Sequence, residues 1–350
     1  MRKFYFSFVF LLTAIPFFSQ APAGYYNPAS GLSGAALQSA LHNIIKNHTA
    51  IPYSSLYTAF DSTDLKPNLQ VWDMYSDDPS GTPPYVYYNN STYQCGNYNS
   101  EADCFNREHS WPQSWFNGVS PPYSDLYHLF PTDGWVNNKR NNYPYGEVSS
   151  PTWTSMNGGK LGPNTTVGYN LTVFEPIDAY KGDIARGYFY MATRYLGEDS
   201  AWSSSDATNK AVIAPWEICN LLNWHHQDPV STKEINRCNA IYKIQNNRNP
   251  FIDHPEWVDS VFACALTNVH EINSAQISVF PNPASDDVTV LFPVSIKGTA
   301  NIYNSVGEIV RSLAIDDRKI TIETASLSKG IYGLIINNGN QVLQRKLIVQ

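Results

Sequence analysis

The stretches NREHSWPQSWF and DLYHLFPTDGWVNNKRNN constrain the fold most, because together they predict three elements in a fixed order. The first stretch carries Glu108 and His109 in a short segment with the character of a strand. Residues 126–131 predict a second strand, which Pro131 and Thr132 end. Two short strands therefore stand close together in the sequence, with polar side chains on the first.

A helix follows the second strand, and Thr132 or Asp133 can cap its first turn with a side-chain oxygen. Asn137 then falls in the first turns of this helix. Arg140 lies about one turn further along, on a neighbouring face. Two strands followed by this helix form a ββα unit.

The polar side chains of this unit have complementary chemistry. The carboxylate of Glu108 and the amide of Asn137 can hold a hard divalent ion such as Mg²⁺, with Mn²⁺ and Ca²⁺ as alternatives. The neutral imidazole of His109 can take a proton from water, and the guanidinium of Arg140 can neutralise a phosphate. Such a set is typical of a one-metal phosphodiesterase.

Glu108 and His109 are neighbours, and neighbouring residues on a regular strand point to opposite faces. Both side chains reach one metal centre only if the backbone bends, and Pro112 favours irregular backbone nearby. If His109 lies opposite Glu108 on a regular strand, this mechanism requires revision.

The first twenty residues predict a secretory signal peptide. Arg2 and Lys3 form a basic start, Phe4–Phe18 is almost wholly apolar, and small or polar residues follow. The apolar run is too short and too close to the N-terminus to favour a membrane span. We therefore expect residues 1–20 to be removed, and the protein to be secreted or held at the cell surface.

Export allows disulfide bonds, and the chain has five cysteines, Cys95, Cys104, Cys219, Cys238 and Cys264. A bridge between Cys95 and Cys104 would brace the segment that carries Glu108. Cys219 with Cys238 is a second candidate pair, which leaves Cys264 over. A chain without any disulfide bond is the alternative, and the lack of a CxxC pair disfavours a zinc cluster.

The composition changes near residues 266–276, and the chain beyond them predicts only strands. Apolar residues alternate there with polar ones, and turn signals such as the one at 337–340 separate short strands. We expect a catalytic domain at 21–265, a linker at 266–276 and a small β-sandwich at 277–350.

Helical periodicity marks four further segments of the catalytic domain. They are residues 33–50, residues 176–197 and the regions around Pro215–Trp224 and Lys233–Gln245. The catalytic domain therefore combines helices with short strands.

The charge balance argues against a protein that holds nucleic acid through a general basic field. Residues 21–266 contain 14 Lys and Arg against 23 Asp and Glu, and the residues after 266 contain 7 of each. A general nucleic-acid binder has the opposite balance. Any phosphate contact must therefore come from a local cluster and a bound cation, so we expect substrate binding to depend on that cation.

Residues 70–258 resemble the bacterial endonuclease I family, which comprises secreted or periplasmic non-specific nucleases of the ββα-metal superfamily. The matching segments are CGNYNSEADCFNREHSWPQSWF, DLYHLFPTDGWVNNKRNN, GDIARGYFYM and IQNNRNPFIDHPEW. Residues 277–350 resemble the C-terminal sorting domains of the type IX secretion system, through VFPNPASDDVTV, NSVGEIV, LSKGIYGLII and QRKLIV. These resemblances imply an α+β fold: a ββα-metal nuclease domain with surrounding helices, followed by a small all-β immunoglobulin-like sandwich.

The endonuclease I resemblance implies a role for each polar residue of the ββα unit. The residue that matches His109 is the general base of the family, and those that match Glu108 and Asn137 bind the metal ion. Arg140 and Arg186 are our candidates for catalytic contacts with phosphate, with an ordinary salt bridge as the alternative for each.

Four other polar residues are weaker candidates. Asn142 can bind substrate or orient the ligand loop, although a structural role is favoured. For His128 the pattern favours packing near the site over catalysis. His225 and His226 diverge by about 100° on a helix, which disfavours a shared metal ion.

These observations predict a secreted, metal-dependent, non-specific endonuclease that cleaves DNA, with RNA as a second substrate, and leaves 5′-phosphate ends. Its partners are nucleic acid and, through the C-terminal domain, the secretion machinery, and we expect a monomer. The alternatives are a secreted surface-binding or adhesion protein with an inactive nuclease-like domain, and a ββα-metal phosphodiesterase with a narrower substrate.

Overall fold

A computed structural model of the protein describes residues 21–264, 277–337 and 342–350. The chain divides into two compact units between Leu266 and Thr267. The predicted signal peptide, the predicted linker and most of the predicted turn at 337–340 lie outside the described residues. None of the described helices is long and apolar enough to cross a membrane.

The first unit combines helices with short strands. In chain order its helices are α1 (Gly34–Ile45), α2 (Leu56–Thr63), α3 (Gly134–Arg140), α4 (Lys181–Arg194), α5 (Pro215–Gln227), α6 (Thr232–Gln245), α7 (Pro250–Asp253) and α8 (Trp257–Val261). Its strands are β1 (Phe105–His109), β2 (Leu129–Asp133), β3 (Trp153–Thr154), β4 (Lys160–Pro163), β5 (Thr172–Glu175), β6 (Thr208–Asn209) and β7 (Val212–Ile213).

β1 and β2 pair antiparallel and α3 follows directly, so the ββα unit forms as predicted. The second strand starts later than expected, because Leu126–His128 forms a short 3-10 helix. Pro131 lies inside β2 and does not end it, since each strand of a two-stranded sheet has a free edge that needs no N–H donor. Asp133 Oδ1 accepts a hydrogen bond from the backbone N–H of Val136 at 2.8 Å, which confirms one of the two predicted caps.

The long helices surround a buried central helix. α1, α4, α5 and α6 correspond to the four predicted helical segments, and Ser231 and Glu234 form a capping box at the start of α6. α4 is buried along its whole length and packs against α1, α5 and α7. The hydroxyl of Tyr188 on α4 donates to the carbonyl of Ser110 at 2.9 Å, which ties the central helix to the end of β1.

Disulfide bonds join Cys95 to Cys104 and Cys219 to Cys264. The first pair confirms the prediction, and the predicted pairing of Cys219 with Cys238 is wrong. Cys238 is a buried free thiol on α6 whose sulfur lies 3.3 Å from the hydroxyl of Tyr127. The packing of α6 places Cys238 out of reach of Cys219. Cys264, which was predicted to remain unpaired, instead bonds to Cys219 and so joins α5 to the segment that follows α8.

In the second unit, residues 277–337 and 342–350 form only strands among their regular elements, as predicted. They are β8 (Ser278–Phe280), β9 (Asp287–Tyr303), β10 (Ile309–Glu323), β11 (Gly330–Asn337) and β12 (Val342–Val349). β9 pairs with β10 along most of its length, with β8 near its start and with β11 near its end. Alternating apolar residues such as Val288, Val290 and Ile302 form its own core, consistent with the predicted immunoglobulin-like sandwich.

Candidate active site

Side chains on one face of β1 form hydrogen bonds with residues in or near helix α3. Oε1 of Glu108 accepts hydrogen bonds from the hydroxyl of Tyr75 and from Nη1 of Arg140, each at 2.8 Å. Two residues earlier, Oδ1 of Asn106 accepts a hydrogen bond from Nδ2 of Asn137 at 2.6 Å. Residues two apart on a strand share a face, so one carboxylate and two amides lie on the α3 side of β1.

These side chains fit a hard divalent cation. Carboxylate and amide oxygens are the ligands that Mg²⁺ and Ca²⁺ prefer. Because Nδ2 of Asn137 donates to Asn106, the oxygen Oδ1 of Asn137 is the atom available to a cation. Among the described residues there is no group of three or more His, Cys, Asp or Glu side chains that could hold a metal ion. A site built from one carboxylate and amides suits hard ions better than zinc.

Burial raises the pKa of Glu108 above its ordinary value of 4.5, and the Arg140 guanidinium and the Tyr75 hydroxyl lower it by smaller amounts. The side chain of Glu108 is only 3 % exposed. A cation bound to its carboxylate would favour the charged form in the same way as Arg140 does. A bound divalent ion would therefore stabilise the charged form of this buried carboxylate.

Arg140 lies beneath this site and not on its surface. Its side chain is 1 % exposed, and its guanidinium donates to the carbonyl oxygens of His109 and Ser110 as well as to Glu108. The guanidinium also lies 4.4 Å from the centre of the Tyr145 ring. With these partners it has no access to a substrate phosphate, so the structure corrects the predicted contact. Arg140 instead fixes the end of β1.

His109 is the last residue of β1 and is 7 % exposed. Its Nε2 lies 3.1 Å from the carbonyl oxygen of Tyr123. A carbonyl can only accept a hydrogen bond, so Nε2 carries the hydrogen and Nδ1 keeps the lone pair. The imidazole lies nearly parallel to the rings of Tyr53 and Tyr123, with interplanar angles of 6° and 17°. Nδ1 is therefore the atom that can take a proton.

Burial, together with a smaller effect of the neighbouring His128, lowers the pKa of His109 to about 3. The two rings lie 5.5 Å apart between their centres. His128 is completely buried, and its Nε2 lies 2.7 Å from the carbonyl oxygen of Pro122, which agrees with a packing role. His109 is neutral at pH 7, which is the form that a general base requires.

The contacts alternate along β1. Asn106 and Glu108 bond to the α3 side, whereas Arg107 and His109 lie against the ring of Tyr53. The pairing with β2 is regular through His109, so no bend separates Glu108 from His109. The predicted mechanism therefore requires revision, because the side chains of the predicted base His109 and the predicted metal ligand Glu108 leave β1 on opposite faces.

Arg186 lies on α4 and is completely buried. Its Nε and Nη2 donate to the two carboxylate oxygens of Glu234 at 2.6 and 2.8 Å, and its Nη1 donates to the carbonyl of Asp228 at 2.8 Å. Among the described residues, its side-chain hydrogen bonds do not reach the ββα unit. The structure therefore corrects the predicted phosphate contact, and Arg186 instead joins α4 to α6.

The remaining predicted residues have separate environments. Asn142 follows α3 and is exposed, so it stays a candidate for substrate binding. His225 is buried and accepts a hydrogen bond from Arg186 at 3.2 Å, whereas His226 is exposed and lies 3.0 Å from Asp259. The two imidazoles therefore have different partners.

Four residues at this site had no separate role in the sequence analysis, namely Asn106, Arg107, Tyr75 and Tyr123. Asn106 and Arg107 directly precede Glu108, and strand alternation could have placed them on opposite faces. Tyr75 lies in a turn 33 residues before Glu108, and Tyr123 lies in a short 3-10 helix 14 residues after His109. No local pattern reports such distant contacts, so these two required the structure.

A ββα unit of this kind is compatible with a nuclease, an enzyme that hydrolyses phosphodiester bonds, and the family match shows that class. The model of the family described as Endonuclease I matches residues 33–256. The chain belongs to the endonuclease I family. The model described as Secretion system C-terminal sorting domain matches residues 278–350. Both resemblances read from the sequence are thus confirmed, and the first extends further towards the N-terminus than expected.

Curated relatives agree with this assignment. The extracellular ribonuclease of Bacillus amyloliquefaciens is 39% identical over 248 residues, which cover 68% of this chain and 78% of the relative. The extracellular ribonuclease of Bacillus subtilis (strain 168) is 37% identical over 246 residues, with the same shares. Endonuclease-1 of Buchnera aphidicola subsp. Baizongia pistaciae is 31% identical over 130 residues, which cover 37% of this chain and 46% of the relative. The protein is a secreted or cell-surface nuclease, as predicted.

Proposed function

We propose that this nuclease depends on one divalent metal ion, cleaves both RNA and DNA without sequence preference, and leaves 5′-phosphate ends. The observation that carries the proposal is the contact of 3.1 Å between Nε2 of His109 and the carbonyl oxygen of Tyr123. It keeps Nδ1 as an acceptor, and burial keeps the ring neutral. His109 can therefore remove a proton from the attacking water.

The α3 side of β1 supplies the ligands in this proposal. The oxygens of Glu108 and Asn137 would hold a Mg²⁺ ion, which would supply positive charge to offset the negative charge on the phosphate and on the leaving 3′-oxygen. Arg140 holds the carboxylate of Glu108, and Asn106 orients the amide of Asn137. Mn²⁺ and Ca²⁺ share the preference for oxygen ligands, so they are tested beside Mg²⁺.

In this proposal the reacting phosphate lies at the end of β1. Glu108 and His109 leave opposite faces of the strand, so a phosphate can approach both only at that end. Arg140 bonds to the carbonyl oxygens of His109 and Ser110, which keeps this end of the strand in place. The rigid support favours a substrate that bends around the strand end, and flexible or single-stranded nucleic acid does so most easily.

A comparison with relatives and a chemical argument support RNA as a substrate beside DNA. The two relatives that cover 68% of this chain are named extracellular ribonucleases, whereas the named endonuclease covers 37%. A water molecule activated by His109 attacks either polymer, because this reaction does not use the ribose 2′-hydroxyl. Asn142, exposed after α3, is a candidate contact to the bound strand.

Substitution of the proposed base tests the mechanism. We expect His109→Ala to lower the rate of plasmid nicking and of RNA cleavage by about 10² to 10⁴-fold in the presence of Mg²⁺. His226→Ala is the matched control, because that imidazole is exposed and contacts Asp259 outside the ββα unit. Cleavage by a folded His109→Ala protein at the wild-type rate would contradict the assignment of the base.

The ends of the RNA products test the choice of nucleophile. Attack by water that His109 activates gives a 5′-phosphate and a 3′-hydroxyl, whereas attack by the 2′-hydroxyl gives a 2′,3′-cyclic phosphate. Mass spectrometry of short RNA products distinguishes the two outcomes, and a cyclic phosphate would refute the proposal. Added chelator should stop cleavage, and an adhesion protein with a decayed site would show no metal-dependent cleavage at all.

We also propose that the protein acts as a monomer, because one chain supplies every residue of the proposed site. The sorting domain at 278–350 would engage the secretion machinery through its own unit. Light scattering of the secreted protein tests the oligomeric state, and a stable dimer would contradict it.

A further inference from the structure

Arg107 differs from the other arginines of the first unit. Residues 21–264 contain six arginines, and five of them form ion pairs with carboxylates. These are Arg140 with Glu108, Arg186 with Glu234, Arg194 with Glu198, Arg237 with Asp64 and Arg248 with Asp253. Among the described residues no carboxylate lies within salt-bridge distance of Arg107, although acidic side chains outnumber basic ones in this unit.

Aromatic rings hold the guanidinium of Arg107 in place. It lies 4.0 Å from the centre of the Tyr53 ring and 4.7 Å from that of Tyr57. Its Nη1 donates to the carbonyl oxygen of Tyr53 at 3.3 Å, and its Nε is buried without a hydrogen-bond partner among the described residues. The side chain as a whole is half-buried. Its charge is thus oriented and partly desolvated, but no acid balances it.

The position of Arg107 connects it to the general base. Arg107 and His109 are two residues apart on β1, so their side chains share a face, and both lie against the ring of Tyr53. Residues two apart on a strand are about 6.6 Å apart. This separation is comparable with that of successive phosphates along a nucleic-acid strand. A polymer with one phosphate at His109 therefore brings its next phosphate towards Arg107.

We propose that Arg107 binds the phosphate adjacent to the one that is cleaved, in the place that the sequence had assigned to Arg140 and Arg186. The inference rests on the proposed function of His109. The ligand is the phosphodiester backbone, and the planar guanidinium offers it paired N–H donors. Tyr53 and Tyr57 act as positioning residues that keep the guanidinium of Arg107 directed along the face of the strand.

Binding is measured first, apart from cleavage. In a His109→Ala background with Mg²⁺, we expect Arg107→Gln to weaken the binding of a labelled single-stranded hexanucleotide by about tenfold. It should also reduce the slope of log K against log salt concentration by about 0.7. Lys243→Gln is the matched control, because it removes one positive charge from an exposed position on α6. Equal affinities of the two variants would overturn the proposal.

Cleavage of two substrates then locates the phosphate. A dinucleoside monophosphate has a single phosphodiester and no adjacent phosphate, whereas a hexanucleotide has both. We expect Arg107→Gln to raise KM for the hexanucleotide about tenfold and to lower kcat/KM for the dinucleoside monophosphate much less. An equal loss on both substrates would overturn the assignment to the adjacent phosphate. Absence of cleavage by the wild-type protein would refute the proposed function, while the binding measurement would still decide the role of Arg107.

Discussion

Replacement of Arg140 should lower the free energy of unfolding by an amount that depends on pH. Arg140→Met keeps the length of the side chain but removes the ion pair with Glu108 and the bonds to the carbonyls of His109 and Ser110. The carboxylate of Glu108 is then left buried with the hydroxyls of Tyr75 and Tyr145 as its remaining side-chain hydrogen-bond partners. Removal of one partner from a buried pair costs about 3 to 5 kcal/mol of the free energy of unfolding.

Protonation of Glu108 sets an upper limit on the electrostatic part of this cost. Its ordinary pKa is 4.5, so holding the carboxyl neutral at pH 7 costs at most about 3.4 kcal/mol, and at pH 5 at most about 0.7 kcal/mol. In Arg140→Met the folded-state pKa of Glu108 rises further, so the penalty is present above pH 4.5 and disappears as the pH falls towards that value. The destabilisation should therefore shrink by up to about 2.7 kcal/mol between pH 7 and pH 5.

Urea unfolding with chelator at pH 7 and pH 5 measures this change without interference from metal ions. Arg194→Met is the matched control, because its partner Glu198 is 42% exposed and can be hydrated when the arginine is lost. The double variant Arg140→Met with Glu108→Gln should recover part of the stability at pH 7 without restoring cleavage. A destabilisation by Arg140→Met that is equal at both pH values would refute this reasoning.

Three further predictions concern other parts of the first unit. Replacing Cys219 and Cys264 with serine should lower the free energy of unfolding by about 4 kcal/mol, because this disulfide closes a loop of 45 residues. Replacing Cys95 and Cys104 should lower it by about 2.5 kcal/mol, because that disulfide closes a loop of 9 residues. The reverse order of the two losses in urea unfolding would contradict the loop argument. Glu217 is completely buried, both of its carboxyl oxygens lack a partner among the described residues, and burial raises its pKa well above 4.5. The wild-type protein should therefore lose stability relative to Glu217→Gln as the pH rises above 4.5, and parallel curves of unfolding free energy from pH 5 to pH 8 would argue against this. Glu108→Gln should raise the Mg²⁺ concentration for half-maximal cleavage, whereas His109→Ala should lower the rate at every Mg²⁺ concentration; an unchanged Mg²⁺ requirement would remove Glu108 from the ligand set.

The sequence predicts those features that depend on residues close together in the chain. The ββα unit, the cap at Asp133 and the long helices follow from periodicity and from side chains within a few residues of each other. The placement of Glu108 and Asn137 on the α3 side follows from the same order of elements, because the helix begins directly after the second strand. Local pattern was sufficient for these features.

Partners far apart in the sequence explain what could not be predicted. Arg140 lies 32 residues from Glu108, and Arg186 lies 48 residues from Glu234, so the burial of both guanidiniums depends on how distant elements pack. Arg107 stands out only when the partners of every other arginine are known. The regular pairing through His109 likewise depends on the register with β2, which the sequence of β1 alone does not determine.

The buried thiol of Cys238 has a consequence for the order of events during export. Cys219 and Cys238 are 19 residues apart, whereas Cys219 and Cys264 are 45 apart, so an unfolded chain favours the wrong bridge by roughly fourfold from loop closure alone. In the folded unit, burial raises the pKa of Cys238 to about 11, which suppresses the thiolate that exchange requires. If α6 packs before oxidation is complete, its burial of Cys238 therefore favours the bridge between Cys219 and Cys264 over the scrambled one.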